Sequence, residues 1–334
     1  MGWWQVSADT LAGSRFVLSP LAETFAGLRL LHTADAAHPG EREWLTAHLP
    51  AYRHLLADEP VLALLVRSGL GAEWIADFLT PTPRGGEGFE EEVARVRAVS
   101  GADARGHLRL SLGGPLPGAL DRDDLPDLAA RLLTYVWQEA VRPCWERRRR
   151  VLEADVVARV AQVGRSGWAA ALDALRPGTR WLGGNRLQVN LHEFPPREIS
   201  GAELVFVPVT PQRVGWVSWE GRERYALVYP CTGALADGGG GPAAVPVGLG
   251  ALLGSARARV LVLLASPMST SHLVAVTGQA LGSVGRHLRV LLDAGLVERW
   301  GRAGRSVLYV RTAAGDVMVE AAASGHAGRA GGGR

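Results

Sequence analysis

Apolar residues recur at helical spacing through the first half of the chain and again near its C-terminal end, with a stretch of β-like runs between. Arg15-Phe16-Val17-Leu18 reads as a short strand, and Ser19-Pro20 then opens a helix, with Ser as the cap and Pro at the first helical position. Leu21, Phe25, Leu28 and Leu31 form the apolar stripe of that helix. Helical patterns continue over Glu59–Phe78, break at residues 80–86, and resume over Phe89–Ser100. Asp127–Val157 reads as one long helix or two abutting ones, kinked or divided at Pro143, with Leu128, Leu132, Val136, Ala140 and Trp145 facing inward. Beyond Pro177 the pattern changes. Arg186–Asn190, Glu203–Val209, Val214–Trp219 and Tyr225–Tyr229 are β-branched and aromatic runs punctuated by Gly, Pro and Asn, and they predict a small antiparallel sheet.

Helical periodicity returns after residue 255. Ser255 is suited to cap a helix over Ala256–Ala265, which Pro267 stops. Ser269 or Thr270 starts a second, short helix carrying Leu273, Val274 and Val276, and Gly278 breaks it. In the third helix Val284, Leu288, Leu291 and Leu292 face inward, which leaves Ser283, Arg286, His287 and Arg289 pointing outward. Gly295 ends it. Leu296–Trp300 and Val307–Val310 then read as strands joined by a basic tip containing Arg302 and Arg305. Helix, helix, turn, helix and hairpin is the order of a winged helix-turn-helix. Groove contact falls to Ser283, Arg286, His287 and Arg289, and phosphate or minor-groove contact to Arg302 and Arg305.

The runs Leu253–Leu261, Met268–Leu273, Val284–Leu291 and Asp293–Val297 resemble the ArsR-type transcriptional regulators over about sixty residues. The resemblance implies a homodimeric DNA-binding regulator, usually a repressor, whose second helix of the helix-turn-helix enters the major groove of operator DNA. Metal-sensing relatives carry paired cysteines on the positioning helix; here Ser269 and Ser271 stand there, and no Asp-x-His pair follows the wing, so no metal site is expected. The recognition helix departs from the family in Gln279-Ala280 at its start and in Gly282 and Gly285. Those glycines either loosen the helix until it is bound or permit close approach to the DNA backbone. The opening Arg15–Thr24 resembles the start of long actinobacterial ArsR-like proteins, whose additional N-terminal domain has no assigned activity.

The chain has 334 residues, enough for two or three domains. The expected class is α+β: a mainly helical N-terminal domain with a small antiparallel sheet, residues 1–232; a Gly-rich linker, 233–248; the winged helix-turn-helix, 249–312; and a disordered tail, 313–334. Because all 36 basic residues are arginine, arginine content by itself says little about DNA. Its distribution says more. Residues 251–312 hold eight arginines against Asp293 and Glu298, a net charge of +6, while the first 250 residues carry a net of −3. Positive charge is therefore concentrated on the reader, as phosphate binding requires.

No charged-then-apolar leader, myristoylation signal or run of eighteen apolar residues is found, and two cysteines suit a reducing compartment, so a cytoplasmic protein without a membrane partner is expected. His32, His38, His48 and His54 do not share a helix face and are read as solvated or hydrogen-bonded. Glu146-Arg147-Arg148-Arg149-Arg150 is read as a solvated face of a long helix. No phosphate-binding loop, nucleophile elbow or His-Glu-x-x-His helix occurs, so neither an enzyme nor a cofactor is expected. Trp181, Trp216, Trp219 and Tyr229 are candidate walls for an unknown small-molecule effector, with ordinary core aromatics as the competing interpretation. Redox control through Cys144 or Cys231 lacks a supporting signature. The alternative to a DNA-binding regulator is a protein-interaction or small-ligand-binding module with a degenerate winged-helix domain.

Overall fold

The computed structural model describes residues 2–37, 39–71, 73–173, 175–192, 194–211, 213–231, 245–264, 268–303 and 306–327; for residues 39 and 40 and for some in the C-terminal helices and hairpin only the backbone is described. The chain divides into two compact units, residues 1–152 with 162–231, and residues 153–161 with 232–334.

The first unit begins with β1 (Trp3–Gln5), α1 (Ala8–Ala12) and β2 (Arg15–Phe16). The helices α2 (Pro20–Thr33), α3 (Pro39–Asp58), α4 (Pro60–Gly69), α5 (Phe89–Arg97), α6 (Gly101–Leu112) and α7 (Leu125–Val136) follow. Ser19 caps α2 by accepting from the Ala22 amide at 2.9 Å, as the Ser-Pro pair predicts. After α7 the chain passes through a π turn at Trp137–Val141 and a 3-10 turn at Arg142–Cys144 into α8 (Trp145–Asp173). Proline lacks the amide that would continue the ladder, so the helix changes pitch around Pro143 without stopping.

The strands β3 (Arg180–Gly183), β4 (Arg186–Gln188), β5 (Arg197–Glu198), β6 (Glu203–Val209), β7 (Trp216–Glu220) and β8 (Arg224–Pro230) complete the unit. They form two mixed four-stranded sheets, ordered β3-β4-β1-β5 and β2-β6-β8-β7, rather than one small antiparallel sheet. In the second sheet β2 and β8 both run parallel to β6, and only β7 is antiparallel to its neighbour. The reason lies in burial. Val205, Val207, Val209, Ala226 and Val228 face a core shared with α2 and α7, while Leu204, Phe206, Tyr225, Leu227 and Tyr229 face a second core with Trp4 and Leu187. A sheet covered on both faces is the setting in which parallel strands are found.

A charged cluster crosses the first core. Glu23 of α2 is fully buried and pairs with Arg148 of α8. Its other oxygen accepts from the Thr210 amide at 2.8 Å, and the Thr210 hydroxyl accepts from Arg148 at 3.0 Å. Arg148 also donates to the Cys144 sulfur at 3.1 Å and lies 5.2 Å from the centre of the Trp44 ring of α3. One arginine of the run read as a solvated face is thus buried, whereas Arg147, Arg149 and Arg150 are exposed.

In the second unit α9 (Val247–Leu253) takes up Val247 and Gly248, the last residues of the expected linker; residues 232–244 lie outside the described residues. Next come α10 (Ser255–Leu263), β9 (Met268–Ser269), α11 (Thr270–Thr277), α12 (Leu281–Asp293), β10 (Val297–Ala303), β11 (Ser306–Arg311) and α13 (Ala313–Ala327). The N-cap of α10 is Gly254, with Ser255 one position inside the helix. Residues 313–327 of the tail expected to be disordered form α13 instead, and residues 328–334 lie outside the described residues. Ala is the strongest helix former, Met318, Val319 and Ala322 pack on the core, and Asp316 pairs with Arg311 at 3.0 Å. Gly315 is required by contact, since a Cβ there would sit 2.2 Å from the Leu296 carbonyl oxygen.

Among the described residues no helix is long and apolar enough to cross a membrane. Glu23→Ala would leave the Arg148 cation buried without its carboxylate, and the expected loss of stability is about 3–5 kcal/mol. Urea unfolding followed by tryptophan fluorescence measures it; a loss below about 1 kcal/mol would mean the pair contributes little to folding.

Candidate nucleic-acid interface

The second unit is built around α10, α11 and α12. Val260, Leu261, Leu264, Leu273, Val284, Leu288 and Leu291 are buried together, so the inward positions read from the sequence are those that pack. Gly278 makes the turn between α11 and α12 at φ +70°, a conformation that favours glycine, and its amide bonds the Val274 carbonyl at 3.0 Å. Gly295 ends α12 at φ +68°, and the Leu296 amide folds back onto the Leu291 carbonyl at 3.0 Å.

The strands β10 and β11 pair antiparallel from Val297–Arg311 to Ala303–Ser306, with a bulge between Arg299 and Gly301. They extend further into the expected loop than the strand-like runs imply, because the ladder resumes after the bulge at Gly301, Arg302 and Ala303. β9 pairs with Leu308 and Tyr309 to complete a three-stranded sheet. The Arg311 amide bonds the Leu264 carbonyl at 2.9 Å and ties the base of the hairpin to α10.

The four residues expected to point outward from α12 separate into two kinds. Arg286 and Arg289 are exposed and have no hydrogen-bond or ion-pair partner among the described residues; Ser283 is half-buried. His287 is also half-buried, and its Nδ1 is enclosed without a hydrogen bond. Burial, with the Arg257 and Arg286 charges adding to it, holds the His287 pKa below the usual histidine value, so the ring is neutral at pH 7. Helical spacing accounts for this, because residue 287 lies three positions beyond the buried Val284 and adjoins the inward stripe.

Gly282 and Gly285 fall on the same flank as Arg286 and Arg289, at i, i+3, i+4 and i+7. Both are exposed, and a Cβ at either would meet nothing within 4 Å. The backbone of α12 is therefore bare beside its two outward arginines. On the hairpin, Arg302 pairs through its backbone with Val307, and Arg305 lies outside the described residues. Arg299, exposed on β10, was not singled out by the sequence pattern; it adds a cation near the base of the hairpin.

The aromatic candidates of the first unit do not gather at one place. Tyr229 is fully enclosed in the second core, and Trp181 packs partly buried against the same core. Trp216 and Trp219 line one cavity, to which neither of the other two contributes.

Residues 254–299 match the family model of the bacterial regulatory proteins of the arsR family. This segment, from the cap of α10 to the start of the hairpin, is an ArsR-family domain, a DNA-binding winged helix-turn-helix of transcription regulation. The match does not extend into the first unit. Comparisons with curated proteins and with solved structures return no match.

Gly282→Ala and Gly285→Ala are each expected to stabilise the second unit by about 0.5–1 kcal/mol, because the helix is entropically costly at glycine and the added methyl group meets no atom. Thermal unfolding of the two variants beside the parent measures this. A lowered midpoint would show that the helix flank is covered in the free protein.

Proposed function

We propose that the protein is a homodimeric transcriptional repressor of ArsR type that acts on operator DNA in the cytoplasm. In this reading α12 lies in the major groove, where Arg286 and Arg289 meet guanine edges or phosphates. Ser283 near the helix start and the neutral His287 one turn further along add hydrogen bonds, and Arg302 and Arg305 on the wing meet phosphates or the minor groove. The observation that carries the reading is the pair of exposed guanidinium groups, without partners among the described residues, on the second helix of the matched helix-turn-helix, beside bare backbone at Gly282 and Gly285. Bare backbone favours the reading in which those glycines admit a phosphate strand close to the helix.

Dimer formation is supported by an apolar groove between α9 and α13, lined by Leu249, Leu252, Leu296, Val317 and Met318. Leu252 and Val317 are 69% and 65% exposed, which is unusual for large aliphatic side chains on neighbouring helices. A second copy of the same surface would cover them about a two-fold axis and set two recognition helices at successive major grooves. Paired Leu252→Asp and Val317→Asp substitutions are then expected to yield a monomer by sedimentation velocity and to weaken DNA binding. A variant that stays dimeric would place the interface elsewhere.

The deciding experiment is binding of the purified protein to the DNA upstream of its own coding region, beside a scrambled duplex, at several salt concentrations. Tighter binding to the upstream DNA is expected, with log K falling by about 0.9 per neutralised phosphate for each tenfold rise in salt. Arg286→Ala and Arg289→Ala should each cost about 1–3 kcal/mol where they read a base. Equal or absent binding to both duplexes would favour an interaction module instead.

A further inference from the structure

The first unit holds a partly open cavity of about 210 Å³ lined by two kinds of side chain. One set is cationic. Arg29, on the last turns of α2, and Arg176, in the turn after α8, both line it, and neither has a carboxylate partner among the described residues. Arg176 is fixed by Nε donating to the Thr179 hydroxyl at 3.3 Å and by one Nη donating to the Val189 carbonyl at 2.5 Å. Its other Nη is left beside Gly215, where a Cβ would lie 3.0 Å away. Arg29 makes no side-chain hydrogen bond among the described residues.

Asn190 adds a neutral donor at the same cavity. Its Oδ1 accepts from the Gly2 amide at 3.2 Å, which assigns the amide orientation and leaves Nδ2 with no hydrogen-bond acceptor among the described residues. Burial lowers the pKa of both guanidinium groups, that of Arg176 to about 10 with the Arg29 charge adding to the effect, so both remain cations at pH 7. Two half-buried like charges with no carboxylate partner among the described residues repel one another, and an anion between them relieves that repulsion.

The other set is aromatic. The Trp74 ring stands edge-on to Phe194 at 5.2 Å and to Trp219 at 5.6 Å between centroids, and Arg197 caps Trp219 from 3.8 Å. Asp77 lies on this wall, where burial raises its pKa while His107, Trp74 and Arg197 act to lower it. Asp77 thus has its own neighbours and is not the counter-charge of Arg29 and Arg176. The exposed Glu73 and His192 also line the cavity. Its volume corresponds to about seven waters at liquid density, below the range for drug-sized ligands.

We propose that this cavity binds a small aromatic anion, a single planar ring bearing one carboxylate or phosphate, with the anionic group on Arg29, Arg176 and Asn190 and the ring against Trp74, Phe194 and Trp219. Neither the ArsR-type segment nor its DNA is involved in that binding.

Isothermal titration of the full chain without DNA tests it, with benzoate and phenyl phosphate as probes and benzyl alcohol and acetate as controls. At least one aromatic anion is expected to bind saturably with sub-millimolar affinity, and each control at least about tenfold more weakly. Arg29→Gln removes a cation whose side chain makes no hydrogen bond among the described residues, so the fold should be kept and affinity should fall at least about tenfold. Asn190→Asp keeps the acceptor for the Gly2 amide, replaces the free donor by a negative charge, and should abolish binding. Absence of saturable heat from both probes up to about 10 mM, equal binding of benzyl alcohol, or unchanged affinity in both variants would overturn the assignment. Because no DNA is present, these outcomes are independent of the regulator reading.

Discussion

A buried carboxylate on α2 constrains the first unit more than any single apolar contact. Glu23 is fully enclosed, and an enclosed charge is stable only when its oxygens are occupied and its charge is balanced. The Arg148 guanidinium and the Thr210 amide and hydroxyl meet both requirements. They come from positions 148 and 210, so α8 and the chain leaving β6 must converge on α2 before Glu23 can be buried at all. Apolar packing is nondirectional and tolerates alternatives, whereas this cluster accepts one arrangement. Trp44 and Cys144 close it by covering the remaining faces of the guanidinium.

The same helix is held at its start by a second acid. Glu92 of α5 is buried and accepts from the Leu21 amide at 2.8 Å, and burial pushes its pKa up to about 7. Helix α2 is thus located by hydrogen bonds and an ion pair within its first turn, and it delivers Arg29 to the cavity wall near its C-terminal end. A guanidinium without a carboxylate is stable there only because the rest of the helix is fixed by stronger interactions.

What could be read from the sequence follows from how local each interaction is. Ser19-Pro20, the stripe of Val284, Leu288 and Leu291, and the glycines at 278 and 295 act within a few residues, and each produced the feature it signalled. The parallel pairing of β6 with β2 and β8 was not legible by alternation. A strand buried on both faces reads as a continuous apolar run, and Leu204–Val209 contains no polar position to betray its direction. The helix α13 was missed because its Ala- and Gly-rich sequence resembles a tail; what orders it is packing of Met318 and Val319 on a core that Leu249 to Val297 form earlier in the chain. Arg148 was hidden for a related reason. Nothing within Glu146–Arg150 distinguishes it from its exposed neighbours, and its partner lies 125 residues away.

An all-arginine chain makes composition mute about DNA, and the partners of each arginine restore the distinction. At the edge of the second sheet Arg15, Arg84 and Arg224 alternate with Glu203 and Glu220 in one ion-pair chain, with Arg84 to Glu220 at 2.7 Å and Arg224 to Glu203 at 2.6 Å. Their charge is spent internally, and Arg105 and Arg122 are likewise paired with aspartates around the turn before α7. Among the described residues Arg286 and Arg289 have no such partners, and neither do Arg29 and Arg176. The two unneutralised pairs differ in surroundings. One stands in water, where a polyanion can reach it and release counterions. The other is half-buried in a cavity that aromatic rings also line, where low local polarity strengthens each hydrogen bond it makes. Arginine is suited to both settings because its planar, weakly hydrated guanidinium remains charged where an ammonium group would lose its proton.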